Sequence, residues 1–260
     1  MEGLKGKIII ITGGGSGLGQ ETALRLAKEG ARLVLVDLNP EGMEETRGKI
    51  AAQYPDAEVL AIEANVSSDA DVKRYVDETM SRFGRIDGFF NNAGIEGKQN
   101  LTADYGTDEF DKVIGVNLNG VFYGLKHVLP IMRQQGSGSV VNTASVGGIR
   151  GVGHQSGYAA SKHGVVGLTR NSGVEYAEFG VRVNAIAPGA IMTPMVENSL
   201  RQLDPDDPMG AGEAFVSANP AKRFGRPEEV SGVVAFLFSD EATFINASVI
   251  TIDGGQSYKY

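Results

Sequence analysis

Ile8-Ile9-Ile10-Ile11-Thr12-Gly13-Gly14-Gly15-Ser16-Gly17-Leu18-Gly19 is the stretch that decides the fold. An unbroken β-branched run predicts a strand buried on both faces, because a half-exposed strand alternates apolar with polar side chains. The glycines that follow have separate uses. Gly13 permits the tight turn out of the strand, Gly17 lets the backbone approach a phosphate, and Gly19 lets the next helix pack closely on the sheet. The helix beginning at Gly17 presents free N–H groups to an anion. Strand, glycine turn and helix in that order predict a dinucleotide pyrophosphate site at Gly13, Ser16, Gly17, Leu18 and Gly19. The spacing G-x-x-x-G-x-G differs from the commoner G-x-G-x-x-G, so the reading rests on the strand-to-helix position.

The same alternation continues outward from this stretch. Strands are predicted at Lys7–Thr12, Arg32–Asp37, Glu58–Glu63, Ile86–Asn91, Ser139–Thr143, Val181–Ala187 and Ser248–Ile252. Helices are predicted between them at Gly17–Glu29, Pro40–Gln53, Asp69–Phe83, Asp108–Arg133, Ser156–Phe179 and Pro227–Ser239. Apolar strands separated by amphipathic helices imply an α/β fold. It is a single-domain, Rossmann-type doubly wound parallel sheet of about seven strands with helices on both faces. No repeat or linker divides residues 1–260. The exception to regularity is Thr193–Phe224, where Asp204-Pro205-Asp206-Asp207-Pro208 is expected to break any regular element. A long insertion on the ligand-binding edge reads as a substrate lid over 193–224.

Composition narrows the class. A chain of 260 residues with 42% hydrophobic and 22% charged residues fits one globular core. The formal charge of -8 argues against nucleic acid, which needs clustered Lys and Arg. Without cysteine there is no disulfide and no thiolate metal site, in keeping with a cytoplasmic location. The segment Met1–Lys7 leads directly into a strand with no room for a signal peptide, and no apolar run approaches the roughly 20 residues that span a bilayer. A soluble cytoplasmic protein is the expectation.

Asp37 closes the second strand, where an acidic side chain meets the adenosine ribose, with Leu38 beside it. A carboxylate there accepts from the 2′- and 3′-hydroxyls and repels a 2′-phosphate. No Lys or Arg in Gly14-Gly15-Ser16 or Leu38-Asn39 would neutralise such a phosphate, so NAD is favoured over NADP. Further along, Tyr158 and Lys162 stand four apart, which places both on one helix face. A phenol beside an ammonium and the Ser145 hydroxyl, in a dinucleotide-binding protein, points to hydride and proton transfer at a carbonyl. Free tyrosine titrates near about 10, and the Lys162 charge is expected to favour the phenolate.

These residues resemble the short-chain dehydrogenase/reductase family over essentially the whole chain. The resemblance rests on the glycine loop, Asn91-Asn92-Ala93-Gly94, Asn117, Ser145, Tyr158-x-x-x-Lys162 and Pro188-Gly189, all in the family's order. It implies Tyr158 as proton donor or acceptor, Ser145 as the group that polarises the carbonyl, and Lys162 as the holder of the nicotinamide ribose. Asn117 would bend its helix and position a water that links Lys162 to solvent. No metal is implied. The resemblance also assigns Asn91, Ala93, Gly94, Pro188, Gly189, Ile191, Thr193 and Met195 to the cofactor. Thr193 before Pro194 is a good helix cap as well. Asn65-Val66 stands where the family usually has Asp-Val at the adenine amino group; the Asn65 amide oxygen is expected to take over that bond.

Within the family the chain is similar to NAD-dependent ketone reductases. That similarity lies in Asp87–Asn100, Asn142–Gly151, Ala187–Ile191, Thr193–Ser199 and Asp253–Ser257. It implies a cyclic or otherwise hydrophobic ketone and its secondary alcohol. Glu96, Val146, Val152, His154 and Met192 are expected to join Ser145 and Tyr158 around the substrate, whereas His163 is expected to pack. A sugar or polyol dehydrogenase is the alternative, and a non-catalytic dinucleotide sensor a third reading. Apolar Val146, Ile149, Val152, Ile191 and Met192 weigh against the sugar, and the intact Ser145, Tyr158 and Lys162 set against the sensor. Helices Asp108–Arg133 and Ser156–Phe179 are more apolar than one buried face requires, which predicts an oligomer. The resemblance implies a homotetramer, with Gln256–Tyr260 near a second interface.

Overall fold

Seven parallel strands, in the order β3-β2-β1-β4-β5-β6-β7, form one sheet in the computed structural model, which describes residues 1–217 and 219–258. They are β1 (Ile8–Thr12), β2 (Arg32–Asp37), β3 (Val59–Glu63), β4 (Gly88–Asn91), β5 (Gly138–Thr143), β6 (Val181–Pro188) and β7 (Val249–Ile252). Alternation within β1 sorts the core into two layers. Ile10 joins one cluster with residues of α3 (Asp69–Phe83), while Ile9 and Ile11 join the other with residues of α1 (Gly17–Lys28) and α2 (Pro40–Gln53). These isoleucines are fully buried, each burial being worth about 1.5–3 kcal/mol.

The chain winds outward from β1 to β3, then returns to β4 on the other side of β1. Beyond the C-terminal ends of β1 and β4 the crossovers diverge, and a crevice opens there. This is the doubly wound architecture predicted from the strand pattern.

Two regions differ from expectation. The helix anticipated over Asp108–Arg133 is divided into α4 (Thr107–Ile114), a π turn at Gly115–Asn119 and α5 (Gly120–Gln135). After β5 comes α6 (Ser156–Tyr176), which packs in the same core layer as α5. The stretch Thr193–Phe224, expected to be irregular, contains α7 (Pro194–Leu203) and α8 (Pro208–Ser217). Of the two prolines read as breakers, Pro205 lies in the turn between these helices and Pro208 opens α8, while Pro194 follows its Thr193 cap as expected. Thr193 Oγ1 accepts from the Val196 amide at 3.4 Å, and Asp207 Oδ1 from the Gly210 amide at 2.9 Å, so each helix begins on a side-chain acceptor. The breaker reading applies only to the turn at Asp204, whose Oδ1 accepts from the amides of Asp206 and Asp207. Helix α9 (Pro227–Phe238) completes the layer over α1. The interface segment expected at Gln256–Tyr260 extends into Lys259 and Tyr260, which lie outside the described residues. No helix among the described residues is long and apolar enough to cross a membrane.

Candidate active site

The crevice has a volume of about 530 Å³ and runs past the C-terminal ends of the strands from β3 to β6. Gly13 stands at φ 68°, a backbone that side chains resist. A Cβ on Gly19 would lie 2.0 Å from the Gly13 carbonyl oxygen, so the loop closes on the helix only with glycine there. Ser16 is the N-cap of α1, yet its side chain makes no capping bond, and the first turn carries no acid. Unpaired N–H groups, a free hydroxyl and the positive end of the helix suit a pyrophosphate. The residues present therefore fit a dinucleotide.

Asp37 Oδ2 accepts from the Gly15 amide at 2.9 Å, and Oδ1 from the Asn39 amide at 3.0 Å. Each oxygen keeps a lone pair for a ribose hydroxyl. At the β3 end, Asn65 Oδ1 accepts from both the backbone N–H and the hydroxyl of Ser67, at 3.0 and 2.7 Å. The oxygen expected to receive the adenine amino group is already taken by its own loop.

A line of hydrogen bonds crosses three strand ends. Thr12 Oγ1 accepts from the amides of Asn92 and Ala93, at 2.9 and 3.0 Å, and the Asn92 side chain donates to the Thr12 carbonyl. Thr143 Oγ1 donates to Asn92 Oδ1 at 3.1 Å, and Lys162 Nζ donates to the Thr143 carbonyl at 2.7 Å. The Lys162 ammonium lies 5.6 Å from the centroid of the Tyr158 ring. Lys162 is 3% exposed, and burial lowers its pKa to about 8. Burial pushes the Tyr158 phenol up, the Glu96 charge adds to that, and a hydrogen bond from Ser145 opposes it. The expected depression of the phenol by Lys162 does not appear; desolvation prevails. Ser145 Oγ accepts from the Gly147 amide at 3.0 Å, which leaves its own hydrogen for the bond toward Tyr158.

Of the predicted cofactor residues, Gly13, Ser16, Gly17, Leu18, Asp37, Leu38, Asn65, Val66, Ala93, Gly94, Pro188, Gly189, Ile191, Thr193 and Met195 line the crevice, with Ser145, Tyr158 and Lys162. Gly19 lies beneath it. Asn91 is buried and donates to the Val121 carbonyl at 3.0 Å, tying β4 to α5. Asn117, fully buried in the π turn, accepts from the Ile95 amide and donates to the Ile95 carbonyl, both at 2.8 Å. It thereby fixes the backbone of Ile95, which lines the crevice.

The expected substrate residues are more scattered. Val146 is buried next to Ser145, and Val152 lies near Gly147. Met192 is half-buried outside the crevice lining. His154 is exposed at φ 64°, away from the crevice, and His163, expected to pack, is exposed with its ring Nδ1 2.9 Å from the Ala159 carbonyl. Glu96 stands at the crevice mouth as a hub: its Oε1 accepts from Gln99 at 3.2 Å, from Ser199 of α7 at 2.8 Å and from Gln155. Burial raises its pKa, and the bonds from Ser199 and Gln99 work against that rise. Sequence reasoning missed Asn92, Thr143, Lys112 and Val116 on the crevice wall, and Thr12 behind it. For Asn92 the signal was present in the Asn-Asn-Ala-Gly turn.

A family model described as enoyl-(acyl carrier protein) reductase matches residues 13–257. The chain is 63% identical to levodione reductase of Leifsonia aquatica over 98% of this chain and 95% of that one. A crystal structure of levodione reductase matches at a TM-score of 0.98, over 98% of this chain and 99% of that one. Cyclohexanol dehydrogenase of an Acinetobacter strain is 40% identical over 97% of this chain and 96% of its own. An NAD+-bound xylitol dehydrogenase structure matches at a TM-score of 0.91 and 34% identity, over 98% of this chain and 100% of that one.

Proposed function

The chain belongs to the short-chain dehydrogenase/reductase family, as an oxidoreductase that interconverts a ketone and its secondary alcohol, and on that premise we propose that it uses NAD(H) and takes a cyclic or otherwise hydrophobic ketone. The observation that carries the reading is the meeting of Ser145, Tyr158 and Lys162 at one end of a crevice whose other end holds the glycine loop and Asp37. The 63% identity to levodione reductase supports a cyclic ketone, and apolar Val146 and Ile191 beside the catalytic end favour it over a sugar or polyol.

The dinucleotide, when bound, gives or takes a hydride at the carbonyl carbon. The chain's own groups handle the oxygen. Tyr158, kept protonated near neutral pH by burial, donates its phenolic proton to the carbonyl oxygen in the reducing direction. Ser145 donates a hydrogen bond to the same oxygen as negative charge builds. Lys162, held by the Thr143 carbonyl, sets positive charge beside the phenol as the proton leaves. Asp37 would hold the adenosine ribose, Thr193 and Met195 would border the nicotinamide, and α7 and α8 would form the lid. The enzyme works as a cytoplasmic homotetramer; Phe122 on α5, 48% exposed, is the kind of apolar side chain a subunit interface covers.

An optical assay of NADH oxidation against cyclic ketones and ketosugars tests this reading. Turnover of the cyclic ketones with NADH is expected. Turnover of ketosugars alone would transfer the assignment to the polyol branch, and absence of NADH binding would reject the cofactor.

A further inference from the structure

The β3 end of the crevice faces any nucleotide base that extends beyond the ribose site at Asp37. A dinucleotide with its pyrophosphate on α1 and its ribose at the end of β2 carries its base on toward the neighbouring strand, β3. Leu38, Val66 and Val116 supply apolar surface for the faces of a purine there, and Asn65 borders its edge. The chemistry of that edge is fixed by Ser67. A backbone N–H is an obligatory donor, so the Asn65 side-chain atom 3.0 Å from the Ser67 amide is the oxygen. The Ser67 hydroxyl takes the second lone pair at 2.7 Å. The Asn65 NH₂ group has no hydrogen-bond partner among the described residues, and neither has the Val66 backbone N–H.

We propose that Asn65 and Val66 present two donors and no acceptor to the base, so that the enzyme barely distinguishes adenine from hypoxanthine in its dinucleotide. Adenine offers an acceptor at N1 and a donor at its 6-amino group, while hypoxanthine offers a donor at N1 and an acceptor at O6. Against two fixed donors each base satisfies one and opposes the other. An aspartate at position 65 would answer Ser67 with one oxygen and offer the other to the base. It would then satisfy both positions of adenine and neither of hypoxanthine. Asn65 is thus a specificity-determining residue of the cofactor site whose effect is to relax selection for the base.

The inference rests on the nicotinamide dinucleotide reading above, and its test separates the two. Dissociation constants for NAD and nicotinamide hypoxanthine dinucleotide are measured by titration calorimetry on the wild type and on Asn65→Asp. The wild type is expected to bind the two within about threefold of each other, and Asn65→Asp to prefer NAD by about tenfold or more, the scale of one or two unsatisfied polar groups. A wild-type preference for NAD of about tenfold or more would overturn the assignment at Asn65 while leaving the cofactor reading intact. So would a variant whose ratio equals that of the wild type. Failure of both dinucleotides to bind the wild type would reject the cofactor reading itself.

Discussion

The Lys162 ammonium lies 5.6 Å from the centre of the Tyr158 ring, yet it is the carbonyl of Thr143 that Lys162 bonds, at 2.7 Å. The lysine is thereby held in place behind the proposed proton donor. Desolvation disfavours the charged form of each group, the ammonium of Lys162 and the phenolate of Tyr158. Below pH 8 the buried lysine charge costs folding stability, whereas the phenol, neutral there in both states, costs none.

Tyr158→Phe removes the proton donor and keeps the ring. The expected loss in kcat for ketone reduction is about 10²–10⁴-fold, the usual range for general acid catalysis. NADH affinity, followed by fluorescence titration, should change little. Turnover near the wild-type level would remove Tyr158 from its assigned role.

Lys162→Met should trade activity for stability. Replacing a buried charge by an apolar side chain of similar length is expected to add about 1–3 kcal/mol near neutral pH, less the cost of freeing the Thr143 carbonyl. Burial lowers Lys162 from 10.5 to about 8, so between those values the unfolded chain holds a proton that the folded chain has lost. Wild-type stability therefore rises with pH across that window relative to the variant. Denaturant unfolding should show the variant's advantage in full below pH 8 and absent above 10.5.

Asp37→Ala deletes both the ribose acceptor and the charge that repels a 2′-phosphate. The NAD over NADP ratio of kcat/KM should fall by at least about tenfold, as expected when a like-charge contact is removed. The Gly15 and Asn39 amides lose their acceptor, and stability should drop by about 1–2 kcal/mol. An unchanged cofactor ratio would detach Asp37 from the ribose.

Glu96→Gln removes a charge that raises the Tyr158 pKa while keeping an oxygen for Ser199 and Gln99. The phenol should ionise more easily. In the pH profile of alcohol oxidation the rising limb should move to lower pH, because the Glu96 charge that opposes the phenolate is gone. A shift to higher pH would contradict the electrostatic link between Glu96 and Tyr158.

Elements whose causes are local were legible in the sequence. The four isoleucines before the glycine loop, the Asp37 strand end and the Tyr158–Lys162 spacing each carry their reason within a few residues, and the structure places them as read. Glu96 acquires its setting from Ser199 and Gln155, distant in sequence and brought together only by the fold. Pro208 was ambiguous, since the ring that ends one helix suits the first turn of another. The orientation of the Asn65 amide depends on a Ser67 contact that the letters Asn-Val-Ser do not reveal. Desolvation, the largest cause of the raised Tyr158 pKa, is a property of packing depth.

The line from Thr12 through Asn92 and Thr143 to Lys162 joins the start of the glycine loop to the buried lysine by side-chain and backbone bonds across β1, β4 and β5. On the function proposed above, nucleotide docking and acid–base chemistry share one mechanical frame. Thr12, which reaches neither ligand directly, holds the reference point from which the ammonium takes its position, and loosening it would blur the alignment of the reacting groups while the surface of the crevice stayed unchanged.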